Sequence, residues 1–470
     1  MPRDMRTWIA ELEQADELRR IWKPVDPLTQ MGALLYQSRE KALLFEDVAG
    51  YPGWRVLGQA PANLRHAALA FGVPLNELVP SVARLMGERV PPDMVPTGPV
   101  KEVVRTGSEV DIAELPAHVA GARDAGPFIA SGLAVTRDPD SGRRNVSFHR
   151  LQVKGSRKTG ALFMPRHTFR NFQKYETDGE PMPIAIFIGH HPRYYMAAAT
   201  TGPYGMDEFE VAGAYLGEPV RLVKCETVDL EVPADAEIVL EGQVLAGVRE
   251  EEGPFSEFAD YYVAGAGKNP VIEYTAMTMR REAIFKAIQN GSEVEGCVFH
   301  RVPMAATLYR RLSSVAGFVQ LHDVRILPGI LGLVVQMTPR FHGEAKQVLL
   351  AALASEYLHP KIAIAVDEDV DIYQDWEILW SLTTRVDPER DVAVIGGLRG
   401  HAMDPSLLEL GEPGTAAWQR LGGKIVVDAT GPPTSVPDER AVFERVKPLN
   451  NEEIRLEDFL AEPVAIDDRR

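Results

Sequence analysis

Cysteine is nearly absent from this chain, which contains only Cys225 and Cys297. Two cysteines cannot build a disulfide framework or a zinc site made of thiolates, and their scarcity is typical of the reducing cytoplasm. Long apolar runs are also lacking. No stretch approaches the roughly 20 residues that cross a bilayer, and the charged opening segment 1–20 has no apolar core of a signal peptide. We therefore expect a soluble, cytoplasmic protein.

Positive charge is in short supply as well, with 50 Lys and Arg against 67 Asp and Glu and a formal net charge of -17. Phosphate backbones and anionic lipids repel such a chain, so neither nucleic acid nor membrane is expected as a partner. The chain is, in contrast, long. Its 470 residues exceed what one hydrophobic core usually organises, so several domains and room for a buried active site are expected.

The pattern of apolar runs and turn residues predicts an α/β (α+β) protein of four segments. Residues 1–98 form a small amino-terminal α/β unit that closes in the proline-rich stretch 90–100. Residues 99–315 alternate β-rich runs with Gly, Pro and Asp turns, which predicts a central barrel or sandwich. A carboxy-terminal α/β domain is expected at 316–440, followed by a helix and tail at 441–470.

A change of pattern marks the carboxy-terminal domain. Residues 330–337 predict a strand, 343–357 a helix and 361–366 a second strand. Such a βαβ unit pairs its strands in parallel through a right-handed crossover. Its strand and helix are so densely apolar that one small layer cannot cover them, so we expect a homodimer or higher homo-oligomer built through this domain. A further, exposed helix is predicted at 451–461.

Two carboxylates stand on either side of a Gly-Pro turn in the segment Glu-Gly-Pro-Phe-Ser-Glu at 252–257. A Gly-Pro pair stops regular strand pairing and fixes the backbone, so Glu252 and Glu257 can point into one cavity with different surroundings. Different surroundings separate two pKa values, which lets one carboxyl group stay ionised while its neighbour carries a proton. The alternative is a hairpin rim with two solvated acids.

The segment 143–150 alternates polar and apolar side chains until Arg150 breaks the parity. Asn145 and Arg150 therefore cannot share one face of a regular strand, and a bulge or a strand end is expected between them. Further polar groups follow at 164–167, 189–192, 195–200 and 207–210. Asn, His and Glu are ligands that Mn²⁺ or Mg²⁺ accepts without thiolate. Taken singly, the same residues also fit turn, core or helix-terminal roles.

Several longer motifs appear in a fixed order along nearly the whole chain. They are Asn-x-Ser-x-x-Arg at 145–150, Pro-Arg-His at 165–167, Val-Lys-Cys-Glu-Thr at 223–227, Val-Pro-Ala at 232–234, Glu-Ile-Val-Leu-Glu-Gly at 237–242, Glu-Gly-Pro-Phe-Ser-Glu at 252–257 and Leu-Thr-Thr-Arg-Val-Asp-Pro at 382–388. In this order they resemble the UbiD family of prenylated-flavin-dependent reversible decarboxylases. The resemblance implies a split-barrel-like flavin-binding central domain and prenylated FMN as the cofactor.

The resemblance also implies two cation sites. Asn145, His167 and Glu208 match the ligands of a Mn²⁺ (or Mg²⁺) that bridges the flavin phosphate, with Glu210 as the competitor for Glu208. Main-chain carbonyls of Ala197, Ala198 and Thr200 match a potassium-binding segment. The residues that the resemblance places against the cofactor are Asn145, Ser147, Phe148, His149, Arg150, Arg166, His167, Ala198 and Lys361.

Arg150, Glu252 and Glu257 match the catalytic Arg/Glu/Glu group of the family. The implied reaction is reversible, non-oxidative decarboxylation of an aromatic, heteroaromatic or α,β-unsaturated carboxylic acid through a covalent adduct with prenylated FMN. Decarboxylation at an sp² carbon needs such an electron-accepting cofactor, because side chains alone cannot carry the charge. Glu257 is the expected proton donor, oriented by Arg150 and Glu252, and a flavin prenyltransferase is the expected supplier of the cofactor.

Some alternatives remain open at this level. The segment 290–300 either lines the substrate or forms a surface loop before a helix at Ala305. A flavin-independent Mn²⁺ hydrolase would use His149, His167, His190 and Glu208 as ligands. A non-catalytic flavin-binding subunit of a larger carboxylase is the third possibility.

Overall fold

The computed structural model describes residues 3–263, 265–291, 293–315, 319–407, 421–451 and 453–460. The chain is mixed α/β, as predicted, with a curled half-barrel of β-strands at its centre. None of the helices formed by the described residues combines the length and the apolar character that crossing a membrane requires.

The amino-terminal unit is a small sheet with helices packed on it. Its elements are α1 (Met5–Gln14), β1 (Leu18–Ile21), α2 (Met31–Gln37), β2 (Ala42–Phe45), β3 (Arg55–Gly58), α3 (Leu64–Phe71), α4 (Leu78–Leu85) and β4 (Asp93–Met94). Helix α1 begins where the Asp4 side chain accepts the Thr7 N–H, and its buried face carries Met5, Trp8 and Leu12 at helical spacing.

The central region supplies most of the strands. Its elements are β5 (Val103–Thr106), β6 (Phe128–Ile129), β7 (Leu133–Arg137), β8 (Arg144–Phe148), β9 (Leu151–Val153), β10 (Lys158–Ala161), α5 (His167–Thr177), β11 (Met182–Ile188), α6 (Pro192–Ala198), α7 (Glu208–Leu216), β12 (Arg221–Lys224), β13 (Glu231–Pro233), β14 (Ile238–Glu252), β15 (Gly267–Met279), β16 (Ile284–Lys286) and α8 (Glu295–Val315). Strand β16 leaves this region and pairs with β3, giving the amino-terminal sheet the order β1-β2-β3-β16.

The half-barrel is a nine-stranded sheet in the order β6-β9-β10-β15-β14-β11-β7-β8, with β5 paired to β15. Strand β11 separates two hydrophobic cores. Ile184 and Ile186 enter one core, whereas Ala185 and Phe187 enter the other. Both faces of this strand are therefore buried, which explains its nearly continuous apolar sequence.

The expected break between Asn145 and Arg150 is confirmed. Strand β8 ends at Phe148, and the next strand, β9, begins at Leu151. The two residues in between are free of the strand pleat, so Arg150 is not held to the alternation that places the side chains of β8.

The carboxy-terminal domain contains the predicted βαβ unit. Its elements are β17 (Gln320–Ile326), β18 (Gly332–Thr338), α9 (Glu344–Leu353), β19 (Ile362–Val366), α10 (Asp375–Arg385), α11 (Pro388–Asp391), β20 (Val392–Arg399), β21 (Leu421–Ala429) and α12 (Pro437–Ala441). Strands β18 and β19 pair in parallel around α9, in a five-stranded sheet of order β17-β18-β19-β21-β20.

The terminal helix predicted at 451–461 differs in the structure. Among the described residues 453–460 there is only a 3-10 turn, Leu456–Phe459, and residue 461 lies outside the described part. Ile454, Leu456 and Phe459 are all largely exposed. A short amphipathic segment gains most of its helical stability from packing, and here the apolar side chains have none.

Candidate active site

A cavity of about 610 Å³ opens between the half-barrel and the carboxy-terminal domain. Its walls come from the end of β8, the start of α5, the end of α6, the start of α7 and the turn that follows β14. Helix α8 and the loops before β19 and after β20 complete the far side. Side chains that are distant in the sequence therefore meet in one space.

Arg150 joins two buried carboxyl groups at the wall of this cavity. Its Nε and Nη2 donate to the two oxygens of Glu252, each at 2.9 Å, and its Nη1 donates to Glu257. Asn269 Nδ2 donates to Glu252 at 2.8 Å, and the Phe255 ring centroid lies 5.0 Å from the guanidinium carbon. Arg150 and Glu257 line the cavity, while Glu252 lies behind them and is 0% exposed. Glu252 and Glu257 are therefore not the two solvated acids of a hairpin rim.

We call Arg150, Glu252 and Glu257 the acid cluster. Burial raises the pKa of the Glu257 carboxyl to about 7, the nearby Glu252 and Asp124 carboxylates act in the same direction, and the Arg150 guanidinium opposes them. A carboxyl group that titrates near neutral pH can both hold and release a proton under ordinary conditions. Glu252, in contrast, accepts three hydrogen bonds and is fixed in place.

The turn between the two acids is held by its own hydrogen bonds. Gly253 has a φ of +87°, a left-handed conformation that disfavours any side chain, and a Cβ there would lie 3.1 Å from the Gly265 carbonyl oxygen. The Gly253 N–H donates to Gln152 Oε1 at 3.1 Å, and the Ser256 N–H donates to Asp124 at 2.7 Å. The sequence Gly-Pro-Phe-Ser therefore sets the separation of the two carboxyl groups.

Asn145, His167 and Glu208, which we call the donor set, lie at another side of the cavity. Asn145 Oδ1 is 3.2 Å from His167 Nδ1, and Glu208 Oε2 accepts the Val146 N–H at 2.7 Å. An amide oxygen, an imidazole nitrogen and a carboxylate oxygen are ligands that Mn²⁺ and Mg²⁺ accept. Within the described part of the chain, no three His, Cys, Asp or Glu side chains form a group that could hold a metal ion. A cation at this place would therefore depend on the Asn145 amide.

The two competing glutamates of α7 have different surroundings. Glu208 is buried and lines the cavity, whereas Glu210 lies in a separate surface pocket with Arg143 and Arg144. Burial raises the pKa of the Glu208 carboxyl to about 8, and the Val146 N–H partly opposes this effect. No described Lys or Arg side chain forms an ion pair with Glu208. The geometry favours Glu208 over Glu210 as a ligand.

A hydroxyl and imidazole network continues from the donor set. Ser147 Oγ lies 3.1 Å from Asn145 Nδ2, 2.8 Å from Thr168 Oγ1 and 3.0 Å from His149 Nε2. Burial lowers the pKa of His149 to about 4, so its ring is neutral at neutral pH. Phe148 lines the same wall. Polar and aromatic surfaces thus alternate along this side of the cavity.

The end of α6 also reaches the cavity. Ala198 and Thr200 line it, whereas Ala197 does not, and the Ala197 carbonyl accepts the Thr200 N–H at 3.1 Å. The last carbonyls of a helix lack intrahelical partners and carry its partial negative charge. This helix end therefore carries partial negative charge at the cavity.

Lys361 and His190 also lie outside the cavity. Lys361 does not line it, and its ammonium group pairs with Asp404 at 2.8 Å. His190 is buried elsewhere, so the four-ligand site expected of a hydrolase is not assembled. Position in the sequence was a poor guide to both residues. Lys361 stands just before a strand and His190 follows one, but neither side chain reaches the site.

Three histidines of the cavity had no role in the motifs. His300 belongs to α8, which begins at Glu295, so the alternative of a surface loop at 290–300 is wrong and part of this segment lines the cavity. His359 and His401 enter from loops of the carboxy-terminal domain. No short motif links residues so far apart, so only the fold reveals that they converge.

Comparison with known families decides the identity of the fold. The models for the 3-octaprenyl-4-hydroxybenzoate carboxy-lyase N-terminal, Rift-related and C-terminal domains match residues 9–86, 93–293 and 297–429. The chain belongs to the UbiD family. The resemblance inferred from the motifs is thereby confirmed.

Curated relatives of this UbiD-family chain are named as decarboxylases. It is 37% identical over 327 residues to the anhydromevalonate phosphate decarboxylase of Methanothermobacter thermautotrophicus, covering 68% of the chain and 73% of that protein. It is 30% identical over 450 residues to the phenolic acid decarboxylase of Bacillus subtilis, covering 91% and 92%. The UbiD-family chain is accordingly an enzyme of the carboxy-lyase class.

Solved structures of UbiD-class enzymes match over nearly the full length. HmfF from Pelotomaculum thermopropionicum in complex with FMN has a TM-score of 0.89 at 36% identity, covering 97% of this chain and 100% of that one. An evolved dimeric form of HmfF in complex with prFMN gives 0.86 at 34% identity, covering 98% and 100%. Apo 3,4-dihydroxybenzoic acid decarboxylase (AroY) from Klebsiella pneumoniae gives 0.87 at 31% identity, covering 97% and 99%.

Proposed function

We propose that this enzyme catalyses the reversible, non-oxidative decarboxylation of an aromatic, heteroaromatic or α,β-unsaturated carboxylic acid, with prenylated FMN as its cofactor. One observation carries the proposal: the buried acid cluster shares a single cavity with the donor set. One side of this cavity is equipped to hold and release a proton, and another to hold a cation and a phosphate.

The donor set fits a divalent cation and would hold it next to the cofactor. Glu208 is a buried carboxyl group with no ion-paired Lys or Arg in the described chain, which is the environment that a bound Mn²⁺ or Mg²⁺ would complete. The carbonyls at the end of α6 fit K⁺. Ser147 and His149 lie beside the donor set and are proposed contacts of the cofactor. A flavin prenyltransferase would supply it.

When bound, the prenylated flavin supplies the covalent electron sink that decarboxylation of an sp² carbon requires. The protein itself supplies the proton. Loss of CO₂ from the carboxylate leaves one proton to be added to the same carbon, and Glu257 donates it from the cavity wall. Arg150 grips Glu252 with two hydrogen bonds and Glu257 with a third, so the position of the acid is fixed. In carboxylation the Glu257 carboxylate takes the proton back.

The relatives support this substrate class. The Bacillus subtilis protein is named for phenolic acids, AroY for 3,4-dihydroxybenzoic acid, and the Methanothermobacter protein for anhydromevalonate phosphate. Aromatic and aliphatic acids are therefore both within the range of similar proteins. We propose a small carboxylic acid as the substrate of this enzyme.

A homodimer formed through the carboxy-terminal domain is part of the proposal. Trp376 and Leu379 on α10, Val394 on β20 and Leu421 on β21 are 57–74% exposed. Large apolar side chains of this kind suit an interface between two copies of the chain. Sedimentation should give a dimer, and a stable 51.9 kDa species in a dilute sample would contradict it.

The test of the reaction uses enzyme produced together with a flavin prenyltransferase and offered a panel of aromatic and α,β-unsaturated acids in D₂O. We expect CO₂ release with deuterium at the vacated carbon. Glu257→Gln should retain flavin and metal but lose turnover by about 10²- to 10⁴-fold, because general acid catalysis contributes about that much. Glu251→Gln, the exposed neighbour on β14, is the matched control and should keep full activity. Full turnover by the Glu257 variant would show that another group donates the proton.

A further inference from the structure

The far side of the cavity carries nitrogen-bearing side chains that the proposed reaction does not use. Arg166, at the start of α5, lines it together with His300, His359 and His401. We call these four residues the basic subsite. They come from three separate regions of the fold, so their convergence is a property of the closed cavity wall and not of one motif.

Arg166 differs from the other arginine of the cavity. The Arg150 guanidinium donates to the carboxyl groups of Glu252 and Glu257, whereas that of Arg166 forms no hydrogen bond or ion pair with any residue that the structure describes. The only carboxyl groups among the described lining residues are Glu208 and Glu257. Both already have a role at other walls, so the positive charge of Arg166 has no partner among the described residues that line the cavity.

The three histidines add polar ring nitrogens to the cavity wall that carries Arg166. The rings of His359 and His401 stack at 3.8 Å, and Phe258, the residue after Glu257, lies 6.0 and 6.2 Å from them. The basic subsite is therefore close to the acid cluster. The Met403 N–H donates to His401 Nδ1 at 3.2 Å, which leaves the hydrogen of that ring on Nε2 as a donor. His359 Nδ1 is buried and has no hydrogen-bond partner in the described chain.

Burial keeps these histidines neutral, and the positive charge of Arg166 acts in the same direction on all three. The pKa of His401 is lowered to about 4 and those of His300 and His359 are lowered as well, in each case by burial first and also by the positive charge of Arg166. All four side chains line the same cavity. His300 Nδ1 donates to the Gly296 carbonyl at 3.0 Å, so its ring has no further hydrogen to donate. The Arg166 cation, with the His401 Nε2–H donor on the same cavity wall, is a suitable environment for an oxyanion.

We propose that the basic subsite binds a second anionic group of the substrate, a carboxylate or a phosphate other than the carboxylate that leaves. This inference rests on the proposed decarboxylase function and names its substrate class more closely: a dianionic acid. It also reassigns Arg166, which the sequence motif placed against the cofactor. Arg166 has no counter-charge among the described residues that line the cavity, and a second anion on the substrate would pair with its guanidinium in bidentate geometry.

The test measures binding of three probes that share one ring. Calorimetry on the flavin-loaded enzyme compares 4-hydroxybenzoate with terephthalate and with 4-carboxyphenyl phosphate. We expect at least one dianion to bind about ten- to a hundredfold more tightly than 4-hydroxybenzoate, because hydrogen bonds to charged groups contribute about that much. A tighter terephthalate indicates a distal carboxylate and a tighter phosphate ester a distal phosphate. Equal affinity for all three probes overturns the proposal.

Substitutions in the basic subsite test which side chains cause the preference for the dianion. Arg166→Gln should remove the preference for the dianion, leave the affinity for 4-hydroxybenzoate within twofold and retain flavin. His359→Gln should reduce the preference less, because neutral donors contribute less than the cation. Arg170→Gln is the control for loss of one positive charge on the same helix, since Arg170 lies over the Tyr204 ring at 4.1 Å and does not line the cavity.

Two results of the variants would contradict the basic subsite. Loss of flavin from Arg166→Gln would return this residue to the cofactor, and a dianion preference unchanged in that variant would remove it from the site. Calorimetry needs no turnover, so a failure of the decarboxylase proposal, seen as absence of CO₂ release across the panel, is distinguishable from a failure of the subsite.

Discussion

Glu257 and Glu208 are the same residue type at similar depth, yet their partners differ. They are 7% and 5% exposed, and burial is the main cause of a raised pKa for both, about 7 for Glu257 and about 8 for Glu208. Glu257 is held by the Arg150 guanidinium, whereas Glu208 accepts a main-chain N–H and has no ion-paired Lys or Arg in the described chain.

This difference separates two uses of a buried carboxyl group. The permanently charged guanidinium of Arg150 fixes the position of Glu257, which can still exchange one proton near neutral pH. A carboxyl group without a fixed cation is costly to ionise in the interior, so Glu208 suits a site that a metal ion completes. Burial raises the pKa of both carboxyl groups, and the partner of each one determines its chemical role.

Removing the charge of Glu208 should have the largest effect on cofactor content, with loss of both metal and flavin. Glu208→Gln should weaken Mn²⁺ binding by at least about a hundredfold, because loss of even an outer-shell partner costs about ten- to a hundredfold. Metal analysis and flavin absorbance of the purified variant measure both losses. Glu210→Gln, two residues along α7 and outside the cavity, should retain full occupancy. If Glu208→Gln kept its metal and Glu210→Gln lost it, the ligand would be the other glutamate.

A pH profile tests the opposite property of Glu257. The protonated form is the donor, so the decarboxylation rate should be level below about pH 7 and fall roughly tenfold per pH unit above it. The Asp124 carboxylate contributes to the raised pKa of Glu257, so Asp124→Asn should move the falling limb to lower pH. A limb that stays in place in Asp124→Asn would contradict this electrostatic coupling. A wild-type profile that stays flat above pH 7 would exclude Glu257 as the group that limits the rate.

Local chemistry in the sequence predicts that Glu252 and Glu257 share one cavity and that the strand breaks before Arg150, whereas the place of Arg150 in the acid cluster and the whole donor set came from the resemblance to the UbiD family. A parity break before Arg150 and a Gly-Pro turn after Glu252 are visible in a short stretch of residues, and the structure brings these side chains together. The βαβ unit was predictable for the same reason, since its alternation of strand and helix lies within one continuous segment.

The far wall of the cavity was not predictable. His359 and His401 come from loops whose positions depend on how the carboxy-terminal sheet packs against α8, and no spacing in the sequence encodes that packing. Lys361 shows the converse: a motif position suggested a phosphate contact, but the side chain pairs with Asp404. The exposed segment 453–460 lacked its expected helix because helical periodicity alone does not supply a packing surface.

The smallest expected effect concerns the turn that separates the two uses. Gly253→Ala should destabilise the protein by about 1–2 kcal/mol, because a Cβ is disfavoured at a φ of +87° and lies close to the Gly265 carbonyl. Thermal unfolding measures this loss. Gly247, at a φ of +69° with open space around it, carries the same strain away from the cavity, so Gly247→Ala should lose stability but keep its turnover. Turnover should fall only in Gly253→Ala, because only that turn sets the position of Glu257 against Arg150. Equal turnover in the two variants would mean that the acid cluster tolerates displacement of its turn.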